Sequence, residues 1–507
     1  MKSIFKAVAT VTLFSILTRL LGFFFRILLS RKLGAEGLGL FQLAASMLSI
    51  FLTIVASGLP LTTAKLVSKN LAQNNIAARN RTVTTSLIIS VIVSIICSVI
   101  ILALYPLWKF CFTDDRAVKI LYALIPSILF SAIYSIFRGA LWGQDDYFSC
   151  GLTELVEQIV RFVFTFLLIN SVGVLSSGLQ ASIAFDITCL ISALFAMIIY
   201  LKNGRFSKPK DYRPIISSAV PITGVRMSSS LISPITSLIL PGMLILAGYS
   251  RSEAISSFGI MMGMSFPMLF SPMAIIGSIS MVLIPSISSL LTLNKTNEIE
   301  NKIKASIDIS LFLTMIFVPL FLSVGDKIGI VLFNSKLSGE MMQYSCICIV
   351  PIGMCNLSGS ILNALNQEHK SFKNYLWGSG VLIISLIAFT PLVGIYSIAV
   401  AYFLAMSLIT ILNIQKIKIV YPNLELNFAK SISKYTIVII PSSLFGHFLS
   451  NICNTIMPTF FSGLIGGGAC LIMFLACIYV FNIFDIRTLI KLVKTRKFKK
   501  LKPIKNV

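Results

Sequence analysis

Apolar runs of about twenty residues recur along almost the whole chain, and they leave few choices of fold. The first, Val8 to Leu29, is long enough to cross a bilayer as a helix. In lipid every backbone N–H and C=O must be satisfied within the protein, so only helices and closed barrels span a membrane. Barrel strands alternate apolar and polar residues. These runs are too long and too uniformly apolar for that. The expected fold is all-α, a polytopic membrane protein.

Hydropathy windows give about fourteen candidate spans. They lie at 8–29, 38–64, 84–107, 119–142, 154–175, 178–201, 215–247, 254–290, 305–325, 341–365, 374–391, 394–415, 435–452 and 456–482. Only 12% of the residues are charged, about half the share of a soluble domain. The net charge is +24, from 42 Lys+Arg against 18 Asp+Glu. The basic residues are spread over many short loops, so nucleic acid is not the expected partner. Most of them read as a topology signal. Lys and Arg concentrate at the N-terminus and in 65–81, 202–213, 295–304, 370–373, 416–434 and 487–505. The intervening loops hold fewer: Arg31, Lys32, Lys109, Arg116, Lys119, Arg251, Lys327 and Lys336. The positive-inside rule then puts both termini in the cytoplasm. Lys2 and Lys6 precede a run too long for a signal peptide, so the first span is expected to be uncleaved. The tail from Arg487 to Lys505 reads as a surface for anionic lipid.

Landmarks recur at an offset of about 225 residues, the mark of an internal repeat. Pro60-Leu61-Thr62-Thr63 is echoed by Pro285-Ser286-Ile287-Ser288, and Pro126 by Pro351. Gly143-Gln144-Asp145-Asp146 closes the fourth span, and Asn366-Gln367-Glu368-His369 the tenth. A parallel repeat puts a substrate site between two lobes. The expected division is an N-lobe (1–201), a linker (202–213), a C-lobe (214–415), two further spans (416–482) and a basic tail (483–507).

Charge inside the membrane is expensive, about 2.5–3.5 kcal/mol for a central arginine. Arg19 and Arg26, seven residues apart, share one face of the first span. Arg226 lies in the repeat-equivalent seventh span and is expected to face them across the lobe interface. Three guanidiniums would suit a diphosphate through forked hydrogen bonds. The alternative is that each snorkels to a headgroup or meets a carboxylate. In span 5, Glu154, Glu157 and Arg161 share a face. Glu157 and Arg161 are expected to pair, as structure or as a gate that opens when phosphate competes for Arg161. Asp186, alone in span 6, is a candidate for ion coupling, and Asp308 is read as interfacial. Gly34-Ala35-Glu36-Gly37-Leu38-Gly39 is expected to make a tight turn between antiparallel helices.

Ten cysteines are scattered without metal or disulfide spacing, and only two histidines exist. No nucleophile–base constellation or nucleotide motif appears. The chain is expected to be a transporter rather than an enzyme and to need no cofactor, drawing on membrane potential, H+ or Na+.

The segment TRLLGFFFRILLSRKLGAEGLGLFQLA (Thr18 to Ala44) resembles the first hairpin of the stage V sporulation protein B family. GLPLTTAKLVSKN (Gly58 to Asn70) and RGALWGQDDYFSCGLTELVEQIVR (Arg138 to Arg161) are similar to later parts of the same family. That family belongs to the multidrug/oligosaccharidyl-lipid/polysaccharide exporter superfamily. The resemblance implies two lobes in a V around a central cavity, plus two C-terminal helices. It implies flipping of an undecaprenyl-diphosphate-linked saccharide, lipid II or a related peptidoglycan precursor, for the spore cortex. It also implies first-span arginines, here Arg19 and Arg26, as substrate contacts. Span 7 is Ser-rich (Ser228, Ser229, Ser230, Ser233, Ser237) where a further charge would suit such a site. The expected partners are the lipid-linked substrate, the bilayer of a bacterial cytoplasmic membrane and cell-wall synthesis proteins. The rival readings are a cation-coupled multidrug antiporter and a non-transporting scaffold for wall synthesis.

Overall fold

The computed structural model describes residues 2–170, 176–210, 212–293, 295–424, 426, 428–481, 483 and 484. The basic tail from Arg487 to Lys505 lies outside the described residues. All regular elements among the described residues are helical. Among the described residues nine stretches are long and apolar enough to cross a membrane, ten if a bent pair at Arg251–Leu269 and Met273–Ser280 is one span. Two of the nine, Thr10–Ala72 and Glu368–Val420, each hold two of the expected spans. Span 5 is the helix Tyr147–Asn170, and it carries Glu154, Glu157 and Arg161 within its middle. Its ion pairing, described below, is what lowers the cost of burying it.

By contact the chain divides into two compact units, one up to Met264 and the other from Ser265 onward. The first contains α1 (Lys2–Ala56), α2 (Gly58–Ala72), α3 (Ile76–Ala103), α4 (Tyr105–Cys111), α5 (Asp115–Ala123), α6 (Ile125–Gly143), α7 (Tyr147–Asn170), α8 (Ser177–Asn203), α9 (Tyr212–Ser230), α10 (Ile232–Leu246) and α11 (Arg251–Phe258). The lobe division expected from the repeat is one of topology, which proximity does not test, and it stays a proposal.

The expected turn at Gly34 to Gly39 takes a different form. α1 runs on through it with a kink at Gly34, whose φ of 68° and ψ of −178° are nearly exclusive to glycine. Phe25, Arg26 and Leu29 line one cavity together with Leu38, Phe41, Gln42 and Ala45. On an unbroken helix those two sets would project to opposite sides. The kink brings both onto one space.

The core of this unit gathers Leu59, Val67, Val83, Ile136, Phe137, Ala140, Tyr200 and Ala219. Close approach of α6 to α2 depends on a small-xxx-small step, Gly139 and Gly143. A Cβ at either would meet the carbonyl oxygen of Pro60 or Ala64 at 2.5 Å. The linker is clasped onto α3. Arg79, buried, donates to the Asn203 carbonyl at 2.6 Å. Ser207 N donates to Thr84 Oγ1 at 3.1 Å, and Lys210 N to Thr85 Oγ1 at 3.1 Å. Near the Gly34 kink, Arg116 pairs with both Glu36 and Asp114.

The second unit is built around α12 (Phe266–Leu269), α13 (Met273–Thr292), α14 (Thr296–Phe333), α15 (Lys336–Ser345), α16 (Ile349–Ala364), α17 (Glu368–Val393), α18 (Ser397–Val420), α19 (Phe428–Ile456) and α20 (Thr459–Val480). The last two pack on each other and on α14. Gly446 and Gly466 allow this, since a Cβ on Gly446 would meet Cys470 Cβ at 2.5 Å. His447 Nδ1 bonds the Ser323 carbonyl at 3.1 Å, and Lys327 pairs with Asp326 at 3.0 Å.

Candidate functional site

Within the first unit, α1, α7 and α8, with Leu124 at the α5–α6 junction and Gly263, surround a cavity of about 210 Å³. Apolar side chains form most of its wall, among them Phe25, Leu29, Leu38, Leu124 and Phe185. Its polar lining is Arg26, Gln42, Arg161 and Thr165. Two guanidiniums therefore open onto one largely apolar space, Arg161 half-buried and Arg26 exposed, and an anion is the matching guest.

The two arginines are held differently. Arg26, on the cavity face of α1, has no ion-pair partner among the described residues. Arg161 is fixed from several sides. Its Nη2 pairs with Glu157 Oε1 one turn earlier on α7. Its guanidinium lies 5.9 Å from the ring centre of Phe25 and 5.3 Å from that of Phe185. Each aromatic face adds about 0.5–2 kcal/mol of cation–π attraction, more as water is excluded. Its Nε is buried and makes no hydrogen bond. The Glu157–Arg161 pair expected from their spacing is thus present.

Glu154 has another partner. It pairs with Arg138 on α6, a contact not read from the sequence. The signal was available, because antiparallel helices joined by the short turn at Gln144 to Asp146 place residues equidistant from it side by side. Two ion pairs consequently run along one face of α7. The aromatic supports of Arg161 were missed as well, since nothing local distinguishes Phe25 or Phe185 from the other phenylalanines of an apolar span.

The remaining candidates lie elsewhere. Arg19 is exposed on α1, off the cavity wall, and has no ion-pair partner among the described residues. Arg226 is exposed on α9 and is not part of that wall. The side chains of Ser228 and Ser229 lie outside the described residues. Ser237 on α10 donates to Ser46 Oγ on α1 at 2.9 Å, which gives the Ser-rich segment a packing role. Asp186, half-buried on α8, follows Phe185 in sequence, and its Oδ1 is buried without a hydrogen-bond partner. Asp308 is half-buried on α14 in the second unit. No group of three or more His, Cys, Asp or Glu side chains among the described residues could hold a metal ion.

Fold and cavity together define an all-helical, multi-pass membrane protein with a cationic chamber in its first unit. The chain belongs to the polysaccharide biosynthesis protein family, whose model matches residues 4–291. It is 25% identical over 423 residues to stage V sporulation protein B of Bacillus subtilis (strain 168), covering 80% of this chain and 82% of that protein. It is 21% identical over 422 residues to the lipid II flippase MurJ of Bacillus subtilis (strain 168), covering 75% and 76%. The fold is also that of a solved lipid II flippase MurJ in an inward closed conformation, with a TM-score of 0.72 at 16% identity, covering 94% of this chain and 100% of that one. The expected family and the expected fold class are both borne out.

Proposed function

We propose that the protein flips an undecaprenyl-diphosphate-linked saccharide, lipid II or a related peptidoglycan precursor, across the cytoplasmic membrane by alternating access. The observation that carries this reading is Arg26, whose guanidinium has no ion-pair partner among the described residues and borders a chamber already holding Arg161. A diphosphate diester carries two negative charges and acceptor oxygens on both phosphorus atoms. Forked N–H groups match that geometry better than a lysine ammonium does. The chamber takes the diphosphate, the sugar-peptide head follows it when the bundle opens, and the polyprenyl tail stays in lipid.

Its sequence relatives support the substrate class, since one of them is named a lipid II flippase. The spore cortex is the destination suggested by the similarity to stage V sporulation protein B. A basic chamber argues against a cation-exporting drug antiporter, which needs an acidic one. Membrane potential, H+ or Na+ supplies the driving force, and both termini face the cytoplasm.

The test is reconstitution into vesicles with fluorescent lipid II and a leaflet-accessibility readout. Wild-type protein should move label between leaflets, and Arg26→Ala at equal abundance should do so far more slowly. Equal transport by both would reject the assignment.

A further inference from the structure

We propose that anion binding in the first-unit chamber draws Arg161 off Glu157 and that Glu157 then takes up a proton from solvent, so that substrate loading and protonation are linked. The inference rests on the proposed diphosphate site and adds to it a residue that binds a proton when that site is filled.

The argument starts from the count of partners. Arg161 and Glu157 are each about 20% exposed and neutralise one another. Arg161 is also a wall residue of the chamber, while Glu157 is not. The guanidinium therefore stands between a fixed carboxylate behind it and the space that would receive an anion. Phe25 and Phe185 bracket the guanidinium. They attract the cation without accepting a conventional hydrogen bond from it, so they do not oppose a change of acceptor. The buried Nε without a partner leaves a donor that Glu157 does not satisfy.

A diphosphate on Arg26 places its second phosphate in the space that Arg161 faces. Two oxyanions now compete for one guanidinium. Whichever loses is an anion in a poorly hydrated site, which is costly. The phosphate diester is a far weaker base than a carboxylate and stays ionised. Glu157 relieves the conflict by binding H+, as carboxylates without a counter-ion do in apolar surroundings. Linkage makes the effect reciprocal: the anion raises proton occupancy, and protons raise anion affinity.

The neighbouring groups do not supply a substitute counter-ion. On α7 the next acid, Glu154, is taken by Arg138 of α6. Tyr134 of α6 lies within reach of Glu157 and brings no positive charge. From α8 the nearby titratable groups are Cys189 and Asp186, and neither brings positive charge. Arg26 of α1 is the remaining cation on this wall, and the substrate occupies it.

The experiment measures proton uptake directly. P1,P2-dimethyl diphosphate is the probe, because both its acidic protons are lost throughout the working range and it does not itself titrate. Calorimetry of the full chain in detergent, in buffers of differing ionisation enthalpy, should give about one proton taken up per probe bound. Affinity should fall as pH rises. Glu157→Gln should bind with no uptake and a flat pH profile, while Asp186→Asn should keep the wild-type behaviour. Binding by wild-type protein without proton uptake overturns the proposal, and so does uptake that survives in Glu157→Gln or vanishes in Asp186→Asn. If Glu157→Gln is not recovered folded, the wild-type measurement decides alone. Lipid II flipping in vesicles without proton uptake would sink this inference and leave the proposed function standing, and absence of flipping would sink the function itself.

Discussion

Arg138 on α6 and Glu154 on α7 form an ion pair whose members stand equally far along the chain from Asp146. The pair ties the two arms of a helical hairpin at the height where α7 begins its charged face. Both side chains are about one-third exposed, 37% and 30%, so solvent screens the contact and it should contribute about 1 kcal/mol or less. Arg138→Ala and Glu154→Ala should each lower the melting temperature of the purified protein by about 2 °C. The double variant should be no worse than either single one, because both remove the same interaction. Additive losses in a thermal-shift series would show that the two residues act separately.

Arg26 and Arg19 share a face by sequence, yet only Arg26 borders the chamber. Loss of a charge-assisted hydrogen-bonding group is worth about 1.5–3 kcal/mol, or roughly 10- to 100-fold. Arg26→Ala should reduce lipid II translocation by that factor, with Arg26→Lys in between because the ammonium lacks the fork. Arg19→Ala should cost less than Arg26→Ala in the same vesicle assay. The reverse order would move the site along α1.

Two glycines separate backbone strain from crowding. Gly34 has open space around its Cβ position but φ of +68°, so Gly34→Ala should destabilise by about 1–3 kcal/mol through conformation alone. Gly139 is helical, and an added Cβ would press on the Pro60 carbonyl at 2.5 Å. Gly139→Ala should cost about as much by overpacking. Gly37→Ala, whose nearest neighbour would be Leu33 Cβ at 3.4 Å, should be close to neutral. Detergent-resistant thermal melts of the three variants distinguish these outcomes.

Asp114 lies just outside the membrane-spanning part of α5. Burial works against its ionisation, but hydrogen bonds from the Arg116 side chain and backbone, with the nearby charge of Arg116 and Arg251, hold its carboxyl below the ordinary carboxylate value. A depressed acid stabilises the fold above its unfolded value and loses that contribution as pH falls through the folded value. Acidification below the usual carboxylate range should therefore weaken the protein, and Asp114→Asn should be less stable at neutral pH with a shallower acid limb. Parallel acid limbs in a pH-dependent melting series would remove Asp114 from this role.

The helical membrane fold was legible because bilayer thickness sets a length that apolar runs must meet, and the runs at 84–107 or 305–325 meet it without ambiguity. The Glu157–Arg161 pair was legible because helix geometry fixes an i, i+4 contact locally. What joins elements distant in sequence was harder. Arg138–Glu154 needed the hairpin to be folded in thought. The Phe25 and Phe185 faces on Arg161 depend on the packing of α1 and α8 against α7, which no local spacing encodes. The Gly34 segment was read as a turn between separate helices, because its glycines signal a change of direction. The chain keeps its helical bonding and bends instead, since one residue in a glycine-only conformation suffices to redirect it.

The clasp of Arg79, Thr84 and Thr85 on residues 203–210 has a practical corollary. This stretch is rich in Lys and Arg, and in an unstructured strand trypsin would cut it readily. Here its amides at Ser207 and Lys210 are occupied by threonine hydroxyls, so it should resist cleavage in the folded protein and reject inserted tags.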